Sequence, residues 1–421
     1  MFKKIASLTL ALIMMLGACF ALSSCGEVVV ADMTEAPLAE VELTKDFEVP
    51  ADFKIGVICL HDEASTYDLN FINGVEKIKT LLGLTDKQVI YKKNIDESAA
   101  CTEAADDLVD QGCKIVFANS FGHEEFLLES AKKHPDVQFC HATGTTAHTE
   151  ETPNFHNAFA SIYEGRFLAG VAAGLKLNEM IAEGKITADE AKMGYVGAFT
   201  YAAVISGYTS FYLGAKSVCP TVTMDVQFTG SWYNEIMEKE AATSLINAGC
   251  VLISQHADSM GAPSVCEERG VPNVSYNGST VADCPNTFIV SSRINWAPYF
   301  EYMIDCVENG KAIDADWTGT ISTESVLLTD INEDVAAEGT ADKIADVKKA
   351  LLDGTIHVFD TKNFTVGGET LTSYMADVDT DEKFTPDTEV IKDGIFYESK
   401  HRAAPYFDIR IDGISLLDEA Y

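Results

Sequence analysis

Aromatic rings and short polar side chains collect directly after the apolar runs of this chain, where an α/β sheet would present them at one edge. Tyr67, Asp68, Asn70 and Phe71 follow the first run. Asn119, Ser120, Phe121 and Gly122 follow the third. Farther on come Phe199 with Tyr201, Ser231 with Trp232 and Tyr233, His256 with Asp258, and Tyr276 with Asn277. Such a set suits a flat, hydrogen-bonding ring: faces stack, while carboxyl and amide groups read the edge. The candidate ligand-binding residues are Tyr67, Asn70, Phe71, Ser120, Phe121, Gly122, Phe199, Trp232, Asp258 and Asn277. Core packing is the competing assignment for Phe71, Phe199 and Tyr201. Tyr67 and Trp232 sit among polar residues and argue more strongly for a site.

No catalytic residue is assigned. The chain has no GxGxxG after a strand, no GxxxxGK[ST], no GxSxG and no HExxH. The acidic group His61-Asp62-Glu63 with Asp68 lacks the order of a nucleoside-hydrolase calcium motif. In Asp377 to Asp387, Glu382 and Thr388 occupy places where a calcium loop needs Gly and Glu. No metal and no cofactor is therefore expected.

The elements that must carry these residues alternate. Apolar runs at Phe53–Leu60, Val89–Tyr91, Lys114–Ala118, Val137–His141 and Ala158–Ser161 are separated by stretches of helical spacing. The cadence restarts with a long Ala- and Gly-rich helix over Glu164–Ile181 and continues to Glu308. Strands buried on both faces between helices predict α/β architecture, with two doubly wound parallel-sheet lobes joined by a hinge. Lobe 1 is placed at 51–161 and about 291–316. Lobe 2 is placed at 162–290 and about 317–421. After Trp317 the pattern is irregular, with strands read at Ile356–Phe359 and Phe364–Val366.

The N-terminal residues set the compartment. Lys3 and Lys4, an apolar run from Ile5 to Phe20 and Leu22-Ser-Ser-Cys25 have the layout of a lipoprotein signal peptide over 1–24, with Cys25 as the lipidated residue. Cys19 is a rival, and plain secretory cleavage is the alternative. Residues 25–50 read as an acidic tether. No other segment reaches the roughly 18 apolar residues a membrane span needs. The location is the extracytoplasmic face of the cell membrane. Acids number 65 against 30 Lys and Arg, a net charge of −35, or −37 once the leader and its two lysines are gone. That excludes nucleic acid as a partner, because phosphate contacts need Lys and Arg. Nine cysteines follow Cys25 without a CxxC pair. They read as buried thiols, although Cys266 and Cys284 could pair.

Several motifs resemble a known family. Ser120-Phe-Gly-His-Glu-Glu-Phe126, His141-Ala-Thr-Gly144, Ile162-Tyr-Glu-Gly-Arg-Phe-Leu-Ala-Gly170, Met193-Gly-Tyr-Val-Gly-Ala-Phe199, Gly230-Ser-Trp-Tyr233 and Gln255-His-Ala-Asp-Ser259 occur in order. They look like the basic membrane protein (PnrA-like) family of substrate-binding lipoproteins, over roughly Phe53 to Leu328. The resemblance implies a type I periplasmic-binding-protein fold. It also implies a monomer that delivers a purine nucleobase or nucleoside to an ABC transporter permease, without turnover. The family's stacking aromatic after strand 1 is filled by Tyr67 or Phe71, while its next Asn is Ile72 here. His-Ala-Thr-Gly and Ser-Trp-Tyr are similar to a branch for which nucleobases such as adenine are implied. Trp232 would there supply a second ring surface and Asp258 a hydrogen-bond acceptor. The family's later acidic residue falls near Asn277 to Ser279, where no carboxylate stands. The alternatives are a secreted purine nucleoside hydrolase or ligand sensor on the same fold, or a riboflavin or sugar binder.

Overall fold

The computed structural model describes residues 47–421 apart from 151, 379–382 and 384. The leader, Cys25 and most of the tether lie outside the described residues. The first sheet holds β1 (Ile55–Ile58), β2 (Val89–Lys92), β3 (Ile115–Ala118), β4 (Gln138–Ala142) and β5 (Phe155–Ala160). The second holds β6 (Lys192–Gly197), β7 (Thr223–Phe228), β8 (Leu252–Gln255), β9 (Asn273–Tyr276) and β10 (Phe288–Ile294). Later come β11 (Asp316–Gly319) and β12 (Val326–Leu328). The strand orders are β11-β5-β4-β3-β1-β2 and β12-β10-β9-β8-β6-β7, with Ile414–Leu416 added at the β7 edge. All ladders of both sheets are parallel except β10 with β12. β1 and β3 are buried along their whole length, as expected of strands covered on both faces.

Three crossings join the lobes. Ser161 leads from β5 into the second lobe, Asn295-Trp296 returns, and Thr320–Ser325 crosses again to β12. They are bonded together: Ser161 N donates to Gly319 O at 2.8 Å, Asn295 N to Ser325 O at 2.8 Å, and Ile321 N to Glu164 Oε2 at 2.8 Å. The lobe boundaries placed near 291 and 316 therefore fall a few residues early. β10 runs on through Ser291, Ser292 and Arg293, buried polar residues of which the last two pair with β12. β11 is a short, half-exposed edge strand with little apolar signal.

Two other elements depart from the sequence reading. The stretch of helical spacing after the first apolar run forms a helix that begins as early as Thr66 and ends at Leu82, because Ser65 caps it by accepting Asp68 N at 3.2 Å. Tyr67, Asn70 and Phe71 thus lie on a helix rather than in a loop. Neither Ile356–Phe359 nor Phe364–Val366 forms a strand; only isolated bridges occur at Asp360 and Val366. Their apolar residues instead build an aromatic cluster, in which Phe359 stacks on Phe407 at 4.3 Å. In the second lobe, helices Ile162–Ala182 and Ala202–Val218 touch backbone to backbone. A Cβ at Gly170 would lie 2.0 Å from Phe211 O, and one at Gly214 2.0 Å from Phe167 O. All nine described cysteines are buried and free, Cys266 and Cys284 included.

Candidate ligand-binding site

A cavity of about 360 Å³ opens beyond the carboxyl ends of both sheets, between the lobes. The first lobe lines it with His61, Tyr67, Asp68, Ser120 and Phe121. The second contributes Thr200, Tyr201, Trp232, His256, Asp258 and Tyr276. A third wall comes from Arg402, Ala404, Pro405, Asp408 and Tyr421.

Five of the sequence candidates, Tyr67, Ser120, Phe121, Trp232 and Asp258, line this cavity. The other five do not. Phe71 is fully buried and stacks on Trp296 at 4.4 Å, one helical turn beyond Tyr67 and inside the core. Asn70 Nδ2 donates to Asn277 Oδ1 at 3.1 Å, and Asn277 Nδ2 to Asp258 Oδ1 at 3.3 Å, so these amides join the lobes behind the cavity. Gly122 N donates to Glu97 Oε1 at 2.7 Å, which fixes the turn carrying Ser120 and Phe121. Phe199 stacks on Tyr201 at 5.1 Å and meets Trp232 edge-on at 5.0 Å, backing the rings that face the cavity. Thr200, Tyr201, His256 and Tyr276 stand in the same strand-end runs as the candidates and were legible by that signal. The third wall carried none.

The lobes are drawn together around the cavity. Thr66 N and Oγ1 both donate to Asp258 O at 3.2 Å. Phe121 lies 5.5 Å from Tyr201 and His61 lies 5.4 Å from Tyr233, ring to ring across the cleft. Asp258 N donates to Trp232 O at 2.9 Å, which ties two second-lobe loops into one surface.

The buried end of the cavity is polar but carries little charge of its own. Burial, then the negative charges of Asp68 and Glu238, pushes the Asp258 carboxyl well above the usual range. Its Oδ1 accepts from Asn277 Nδ2, and burial favours its neutral form over the carboxylate. Burial, then the Arg166 guanidinium, pushes His256 well below its ordinary value, so the ring is neutral. Arg166 stands behind the cavity, 4.1 Å from the centre of the Tyr276 ring, and its Nη2 donates to Gln255 O at 2.8 Å. Asp68 Oδ1 accepts from His61 N at 3.1 Å and Asn119 Nδ2 at 2.7 Å, and Tyr67 OH donates to Asn119 O at 2.7 Å. The Arg402 guanidinium is committed to the carbonyls of Ala404, Asp377 and Pro405 at 3.0 to 3.3 Å. The lining offers no uncommitted guanidinium or ammonium for a phosphate. Among the described residues no group of three His, Cys, Asp or Glu could hold a metal ion.

Behind the third wall, Glu398 is 2 % exposed, with the Ser206 hydroxyl and the backbone of Tyr406 and Phe407 against its carboxyl. Burial pushes its carboxyl up from 4.5 to about 7. The folded chain holds this proton more tightly than the unfolded chain does. The associated stability is complete below about pH 4.5 and is lost as pH rises through 7, on the order of 3 kcal/mol. The melting temperature is expected to fall between pH 5 and pH 8, and Glu398→Gln to flatten that slope. An unchanged slope in a thermal-melt series would count against the buried acid.

The Bmp family model, described as ABC transporter substrate-binding protein PnrA-like, matches residues 57–362. A purine-binding protein of Brucella abortus is 32 % identical over 236 residues, which cover 56 % of this chain and 61 % of the relative. A Haloferax volcanii protein named as a candidate ABC transporter glucose-binding protein is 29 % identical over 246 residues, 58 % of this chain and 59 % of that one. The chain thus spans about three fifths of the length of these curated relatives. A solved ABC transporter solute-binding protein of Aeropyrum pernix superposes with a TM-score of 0.61 at 16 % identity, over 72 % of this chain and 92 % of that one. This last likeness concerns the fold, two parallel-sheet lobes of the periplasmic-binding-protein type. With its two lobes, its crossings and a family match over most of its length, the chain belongs to the Bmp (PnrA-like) family of ABC transporter substrate-binding proteins.

Proposed function

We propose that this protein is the extracytoplasmic, lipid-anchored binding component of an ABC importer and carries a purine nucleobase or nucleoside to its permease. One observation supports the reading most: an interlobe cavity walled by the rings of Tyr67, Tyr201, Trp232 and Tyr276, ending at the buried Asp258. An uncharged ring with both donors and acceptors satisfies that end, whereas a phosphate finds no free cation. Tyr67, Phe121 and Trp232 supply ring surface, and Ser120 and Asp258 hydrogen bonds. Cys25 carries the lipid. The purine-binding name of the Brucella relative points the same way. The glucose-binding name of the Haloferax relative favours a sugar as the second reading.

A thermal-shift panel of adenine, guanine, hypoxanthine, their nucleosides, riboflavin and glucose tests it. Purines are expected to stabilise the protein by about 2.7 kcal/mol at a hundredfold excess over Kd. A response to glucose alone would overturn the purine reading. Release of free base from a nucleoside during incubation would show turnover and overturn pure binding.

A further inference from the structure

Residues 363–421 lie beyond the stretch matched by the family, yet part of them walls the cleft. This wall is fixed against both lobes. Ala403 N donates to Asp316 Oδ1 on β11 at 2.7 Å. In the second lobe, Leu417 N donates to Val226 O at 2.8 Å and Phe228 N to Asp418 Oδ1 at 2.7 Å. Thr200, itself a cavity residue, exchanges two bonds with Ala420: N to O at 2.6 Å, and Oγ1 accepting from Ala420 N at 2.9 Å.

The cavity is graded from this wall inward. Among the lining residues Tyr276 is 3 % exposed, at the buried end, whereas Tyr421 is 75 % exposed and Asp408 is exposed too, toward the mouth. A flat ring gains most at the buried aromatic end, where it leaves water entirely. Whatever substituent it bears then faces the mouth. Asp408 Oδ1 accepts from Tyr374 OH, and the residue stands exposed in the cavity lining. A carboxylate there accepts well from sugar hydroxyls and repels a phosphate.

We infer that Asp408 is a specificity-determining residue that reads the hydroxylated substituent of a heterocyclic ligand, so that the cleft favours a nucleoside over both its free base and its 5′-monophosphate. The inference rests on the heterocycle reading above. Calorimetric titration of the full chain with adenosine, adenine and adenosine 5′-monophosphate tests it. Asp408→Ala and Asp408→Asn are expected to weaken adenosine by about tenfold to a hundredfold and leave adenine unchanged. Tyr374→Phe removes the same internal bond but keeps the carboxylate, and is expected to leave adenosine affinity unchanged. Equal weakening of base and nucleoside, or no weakening of either, overturns the role of Asp408. Wild-type protein that binds none of the three overturns the heterocycle reading itself, and this inference with it.

Discussion

Trp232→Ala is expected to weaken ligand binding by about tenfold to a hundredfold while the fold survives. Removing an aromatic partner from a stacked base costs about 1–3 kcal/mol. The indole is one of a nest of rings, with Phe199 at 5.0 Å, Tyr201 at 6.1 Å and His256 at 6.5 Å. Truncation would open that nest toward solvent and lose ring surface and wall together. The backbone of residue 232 keeps its own task, since its carbonyl accepts Asp258 N whatever the side chain. Trp232→Phe retains an aromatic face and is expected to recover most of the affinity. Calorimetry with the tightest ligand of the panel, beside a melt of each variant, decides it. A variant that melts normally and binds as wild type would remove Trp232 from the site.

Gly214→Ala is expected to destabilise the second lobe by about 3 kcal/mol or more, against the sign that helix propensity alone predicts. In an open helix this change gains about 1 kcal/mol. Here the added Cβ would stand 2.0 Å from Phe167 O, a backbone atom that no rotamer change can move aside. The reciprocal contact at Gly170 means the two helices must part along their whole crossing. The interior is close-packed, so that separation opens gaps on both sides. Urea unfolding gives the difference directly. A stability equal to or above wild type would show that the helices can separate freely.

The two-lobe α/β plan was legible because β1, β3, β4 and β8 are short apolar runs set between helices. The site was half legible. Strand ends could be located, so Ser120, Phe121, Trp232 and Asp258 fell on the cavity. Which rings reach the cavity could not be read from position alone. Phe71 lies four residues after Tyr67, on the same face of the helix that Ser65 starts, and one turn of rise carries it from the cleft into the core against Trp296. Phe199 and Tyr201 divide as well. Asn70 and Asn277, 207 residues apart in the chain, meet only because the lobes approach each other. The third wall was invisible for another reason. Residues 402–421 have no regular period, and the Ile414–Leu416 strand is three residues long. Long-range hydrogen bonds, not local pattern, hold them in place.

The bonds from Thr66 and Asn70 to Asp258 and Asn277 cross the cleft without help from a ligand. Opening must break them each time, so they act on rates as well as on shape. If the lobes must part for entry, the association rate is expected to level off at the opening rate as ligand concentration rises, which stopped-flow mixing would show. The affinity measured in bulk is the intrinsic one diminished by the fraction of molecules open at any moment. The same latch lengthens the residence of whatever is enclosed, until a partner that favours the parted lobes shifts the balance.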